Sequence, residues 1–134
     1  MTATEIFVMF LVSHVAGDFL LQTDHQARHK FGGLGSDPVA RRALLAHVGT
    51  YLLAFVPGLL WLTRELPVGV VLATAALIAV THLVTDDGRL LRAFALRVKG
   101  LDMTTNETTA IFVDQSAHVV TLYLLALLAA GWGG

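Results

Sequence analysis

Four apolar stretches, near residues 5–22, 43–63, 67–86 and 108–131, constrain this chain more than any other feature. Each approaches the roughly 20 residues that a helix needs to cross about 30 Å of hydrocarbon at 1.5 Å per residue. An open strand would leave backbone groups unpaired in lipid, so helices are expected. The predicted fold is all-α: a polytopic membrane protein, a four-transmembrane-helix bundle in one domain covering 1–134. Composition agrees, with 55% apolar and 14% charged residues, against about 25% charged in soluble domains. A net charge of −1 argues against a nucleic-acid partner. The chain has no cysteine, which removes disulfides and thiolate metal sites.

Boundary residues support the segmentation. Ser36-Asp37-Pro38 supplies cap residues and a first-turn proline before the second span. Thr104-x-x-Glu107 has capping-box spacing before the fourth. Pro57-Gly58 is expected to bend the second span. Arg64-Glu65-Leu66-Pro67 is a short connection that makes spans two and three antiparallel neighbours. The N-terminus has no basic run, and Glu5, His14 and Asp18 interrupt the first apolar stretch, so no cleavable signal is expected. Eight of the nine basic residues lie in the loops after spans one and three. The positive-inside rule assigns those loops to the cytoplasm, with both termini outside a bacterial inner membrane. Residues 89–99 (RLLRAFALRVK) read as an amphipathic helix lying at the cytoplasmic headgroups.

Ionisable residues interrupt this apolar frame with repeated spacing: His14-x3-Asp18, His47, His82-x3-Asp86 and Asp114-x3-His118. At a helix centre each costs on the order of 3 kcal/mol, which makes them functional candidates. Counting inward at about 1.5 Å per residue, all seven fall within about 14 Å of the cytoplasmic boundary although the spans alternate in direction. A shared depth predicts one site. Residues four apart share a helix face, so each pair can aim at a common centre.

Imidazole and carboxylate donors without sulfur suit zinc, manganese or iron. Four histidines and three aspartates exceed one ion's needs. They fit either two divalent metals or one metal with outer aspartates orienting the histidines. Taken singly, His47 or His118 reads as an interhelical hydrogen-bond partner worth about 0.6 kcal/mol, and a lone His-x3-Asp as a pair that packs helices. His25 and His29 repeat the spacing beside Arg28 and Lys30, and are expected to be solvated. Asp87 is expected to face water, and Gln22 and Gln115 either to donate outer hydrogen bonds or to mark the interface. Ala46-His47-Val48-Gly49-Thr50 is similar to Ala117-His118-Val119-Val120-Thr121, and spans one and three share His-x3-Asp, which suggests an internal two-helix duplication.

The run His14-Val15-Ala16-Gly17-Asp18-Phe19-Leu20-Leu21-Gln22 resembles the H-x-x-x-D-F-x-L-Q opening of a family of small bacterial and phage membrane proteins, domain of unknown function 3307. His47, His82-x3-Asp86 and Asp114-Gln115-x-x-His118 are similar to its other polar blocks, so the likeness covers nearly the whole chain. It implies a four-helix membrane protein with a polar centre and carries no activity. The His-x3-Asp blocks are also similar to those of membrane proteins described as metal-dependent hydrolases, an analogy at the level of pattern.

The functional expectation is a metal-dependent hydrolase at the cytoplasmic leaflet, acting on a phosphoester or lipid-linked ester. All seven residues would hold one or two metals, with Asp114 also accepting a proton from an activated water. Membrane lipids, a lipid-like or phosphorylated substrate and a second copy of the chain are the expected partners. The competing expectations are a transition-metal binding or transport protein and a structural or regulatory membrane subunit without catalysis. A haem bundle is less well suited, because haem needs axial imidazoles more than carboxylates.

Overall fold

A computed structural model describes residues 1–132, which form helices and turns only. α1 (Ala3–Val15) continues directly into a π-helical turn (Ala16–Leu21). The short α2 (Asp24–His29) precedes α3 (Pro38–Leu62), α4 (Val68–Asp87), α5 (Arg89–Lys99) and α6 (Glu107–Trp132). Four helical segments are long and apolar enough to cross a membrane: Ala3–Leu21, Pro38–Leu62, Val68–Asp87 and Glu107–Trp132. Their outward side chains, among them Val12, Leu53, Leu72 and Phe112, are exposed and apolar, as a lipid-facing surface requires.

α1 packs against α3 and α6, and α4 packs against the same two helices. This places α1 diagonally across from α4, and α3 across from α6. The two His-x3-Asp helices are therefore diagonal partners, as are the helices carrying His47 and His118. Away from the basic loops the bundle is filled by Ile6, Phe10, Phe55, Leu62, Leu122 and Leu125.

Helix ends follow local chemistry. Asp37 caps α3 through Val39 N at 2.8 Å, with Pro38 in the first turn, and α3 continues through Pro57 to Leu62. At α6 the expected capping box is replaced: Asn106 Oδ1 accepts from Thr109 N at 2.9 Å. Thr104 instead donates its backbone N–H to Asp102 Oδ1 at 2.8 Å, an Asx turn that competes with capping. Complete capping boxes occur at Thr2/Glu5 and Thr23/Gln26. Gly88, at φ 74°, turns the chain from α4 into α5, a left-handed conformation that favours glycine.

Candidate metal centre

All seven ionisable residues singled out from the sequence come together in overlapping groups of donor atoms. His14 and Asp18 come from α1 and its π-turn, His47 from α3, His82 and Asp86 from α4, and Asp114 and His118 from α6. The π-turn matters locally, because such turns re-aim side chains and recur at functional sites. Gly17 within it lies against Tyr51, leaving no room for a methyl group: a Cβ there would stand 2.5 Å from the ring.

The densest part of the cluster consists of four atoms. His47 Nε2 is 2.9 Å from Asp86 Oδ2 and 3.3 Å from Asp18 Oδ1. His82 Nε2 is 3.1 Å from Asp86 Oδ2 and 3.5 Å from Asp18 Oδ1. The two Nε2 atoms are 3.0 Å apart. Donors bound at about 2.0–2.1 Å to a tetrahedral ion stand about 3.3–3.4 Å from one another. Protons fill such a space poorly, since each ring nitrogen holds at most one hydrogen and here faces several acceptors. Asp18 Oδ1 is buried and accepts no well-directed hydrogen bond, although His47 Nε2 lies 3.3 Å away. That is costly for a carboxylate oxygen unless a cation meets it.

A second donor set shares Asp86. Its other oxygen, Oδ1, is 3.1 Å from His118 Nε2, and that nitrogen is 3.7 Å from Asp114 Oδ2. His82 and His118 also approach through their Nδ1 atoms at 3.2 Å. Three overlapping groups could hold a metal ion: Asp18/His47/His82, Asp86/Asp114/His118 and His14/His82/His118. His14 differs from the rest because both its nitrogens are engaged. Nδ1 meets the Tyr51 hydroxyl at 3.1 Å and Nε2 meets Gln115 Oε1 at 3.0 Å. Ligation through His14 would replace one of those bonds. His47 Nδ1 is buried with no hydrogen-bond partner, so packing sets that ring's orientation.

Charge points the same way. With neutral imidazoles, Asp18, Asp86 and Asp114 bring three negative charges against one ammonium, Lys30, whose Nζ is 2.8 Å from Asp86 Oδ2. One divalent cation would neutralise the remaining charge of −2. Buried carboxylates without a counter-charge are strongly unfavourable.

Sequence reasoning missed Lys30 and Tyr51. Lys30 carries no sequence signal, because it reaches the site from the loop after α2. Tyr51 had one: it follows His47 by four residues and so shares its helix face. Gln115 bonds His14, and its Nε2 lies 3.4 Å from both Asp18 Oδ2 and Asp114 Oδ2. With its amide oxygen and nitrogen assigned to satisfy their neighbours, Gln22 accepts from Lys30 Nζ at 2.8 Å and donates to the Asp18 carbonyl at 3.2 Å.

Asp87 corrects an expectation, for it is buried at 4% exposure rather than facing water. Its carboxylate accepts from Leu34 N at 2.8 Å and Arg89 Nε at 2.7 Å, tying the α2–α3 loop to the α4–α5 turn. His25 and His29 are exposed as expected, though in α2 rather than a loop, with rings stacked 4.4 Å apart.

The family model described as "Protein of unknown function (DUF3307)" matches residues 6–132. No curated protein matches the chain, and no solved structure matches it. The chain belongs to that family.

Proposed function

We propose that this member of a family of unknown function is a metal-dependent integral-membrane hydrolase, acting at the cytoplasmic leaflet on a phosphoester or another lipid-linked ester. The observation that carries the reading is an asymmetry of burial. The side chains of His14, Asp18, His47, His82, Asp86 and His118 are at most 3% exposed, whereas Asp114 is 28% exposed. A closed donor set with one open carboxylate suits catalysis better than packing alone.

Asp18, His47, His82 and Asp86 would hold one ion, and Asp114 and His118 would hold a second with Asp86 shared between the two sets. His14 is held between Tyr51 and Gln115 and orients the set. A divalent ion held there would supply Lewis acidity and make a nearby water more acidic. Asp114, within reach from outside, accepts that water's proton. The water oxygen bonds to the phosphorus or carbonyl carbon as the ester's bond to its leaving oxygen breaks. The leaving oxygen takes the proton back from Asp114.

The same ligands would serve a metal carrier, but a carrier needs a polar route across the bundle. Beyond the cluster and its neighbours, Tyr51 among them, the buried side chains of the spans are apolar except Thr74. The Thr74 hydroxyl donates to the Val70 carbonyl at 2.9 Å, and no Asp, Glu, His, Lys or Arg is buried there among the described residues. The Lys30–Asp86 pair is the feature that favours a structural subunit, because it already compensates one carboxylate.

Elemental analysis of the purified wild type beside His47→Ala and His118→Ala tests the metal. Equal, negligible metal in all three defeats the reading. Hydrolysis of generic phosphoesters should be lost in Asp114→Asn while metal is retained. Metal without hydrolysis in the wild type would favour the carrier.

A further inference from the structure

A cleft of about 290 Å³ opens at the end of the bundle that carries the basic loops, and Asp86 and Asp114 line it. It is the side from which Asp114 is reached. Apolar residues supply much of its wall, including Leu91 and Met103, and Ala110 and Ile111 on α6. Two cations line it, Lys30 and Arg92. They differ in state. Lys30 is committed to Asp86 at 2.8 Å. Arg92 makes no ion pair within 4 Å and no side-chain hydrogen bond among the described residues, although its charge acts on the Asp102 carboxylate. Its guanidinium lies 3.6 Å from the Phe31 ring centroid.

That stacking is built by the backbone. The α4–α5 turn at Gly88 leaves no room for a Cβ, which would stand 2.7 Å from Phe31 Cδ2. Gly32 N donates to the Asp87 carbonyl at 2.9 Å and holds the Phe31 loop there. Phe31 thus rests on Gly88, and Arg92, one helical turn beyond Gly88, rests on Phe31. A guanidinium stacked by its face keeps its edge N–H groups free, and that fork matches two oxygens of a phosphate. Glu107 is the one acidic side chain lining the cleft outside the cluster. As a like charge it opposes anion binding, and the opposition provides a control.

We infer that this cleft binds the phosphate of a phosphorylated headgroup, with Arg92 as its anion contact and the apolar wall against the carbon skeleton. The inference rests on the hydrolase reading for its consequence, since it presents a phosphoester to the Asp86/Asp114 face. It concerns Arg92 and not the metal ligands, so the two ideas can fail separately.

The test is a binding titration on the full chain in neutral-detergent micelles, with and without added zinc or manganese. The ligands are dihexanoyl phosphatidate, glycerol 3-phosphate and dihexanoylglycerol. Phosphatidate should bind and dihexanoylglycerol should not. Arg92→Gln should weaken phosphatidate binding by about tenfold or more, as expected for a lost charge-assisted hydrogen bond. Arg92→Lys should retain part of the affinity, and Glu107→Gln should tighten binding. Tighter binding of phosphatidate than of glycerol 3-phosphate assigns the phosphate to a bilayer lipid; equal binding assigns it to a soluble phosphoester. Unchanged phosphate affinity in Arg92→Gln, or equal binding of dihexanoylglycerol, overturns the site. Metal content read on the same samples separates the two ideas. Arg92-dependent binding without metal leaves the anion site standing and sinks the hydrolase; metal without such binding does the reverse.

Discussion

The ring of Tyr51 lies parallel to the ring of His82, 3.4 Å between centroids and 8° between planes. The same tyrosine reaches His14 Nδ1 with its hydroxyl at 3.1 Å. One buried side chain therefore orients two histidines, by its face and by its edge. Tyr51→Phe keeps the face and loses the edge contact, at a cost of about 1 kcal/mol. Tyr51→Ala loses both and leaves a cavity, at a cost of about 3–5 kcal/mol. Thermal unfolding in detergent, with metal content measured alongside, checks this. Equal stability of the two variants would contradict the orienting role.

Gly17 gives a second prediction, since a Cβ there would stand 2.5 Å from Tyr51 Cδ2 and 3.3 Å from its Cα. Backbone cannot yield as a flexible side chain can. Gly17→Ala should destabilise by about 1–3 kcal/mol, the usual cost of overpacking. It should also lower metal occupancy, because the π-turn that aims Asp18 must move. Gly49→Ala, where a Cβ meets nothing within 4 Å, is the matched control. Comparable losses in the two variants would refute the contact.

Asp86 faces both ligand sets through different oxygens. Asp86→Asn should therefore abolish bound divalent metal. Asp114→Asn touches only the set with His118 and should keep at least one ion. Elemental analysis of both variants decides the matter, and retention of wild-type metal in Asp86→Asn rules out the bridge.

Lys30 sets an ammonium against the oxygen that both Nε2 atoms approach, 2.8 Å from Asp86 Oδ2. It repels any cation bound there. Lys30→Met should tighten divalent-metal binding by about tenfold or more, given a like-charge energy of several kcal/mol at an effective dielectric near 20. A competition titration against a metallochromic chelator measures it. Weaker binding in Lys30→Met would mean that Lys30 supports the metal site instead of opposing it.

Much of this arrangement was legible in the residues themselves. The spans are set by length and hydropathy, and the i,i+4 pairs share a face because a helix turns every 3.6 residues. Their common depth followed from counting along alternating spans. His47, which has no partner on its own helix in that pattern, is marked by its depth, by the likeness of its segment to the one around His118 and by the family resemblance. Asp87 was misplaced because its burial comes from the loop around Leu34 and from Arg89, partners brought to it by the turn at Gly88. The Thr104 cap failed because Asp102, two residues away, offered Thr104 a competing acceptor.

The linear chain thus determined which helices are long and apolar enough to cross a bilayer and which imidazoles and carboxylates share a helix face, because both depend only on rise and period. Tertiary structure alone decided that Asp86 serves two donor sets, that Lys30 folds in to meet it, and that Asp114 stays open while its neighbours are sealed. Those outcomes depend on how each helix is rotated against the next and where the connecting loops return. Rotation and loop return are decided by packing between distant residues such as Gly17 and Tyr51, or Gly88 and Phe31, which no local period encodes.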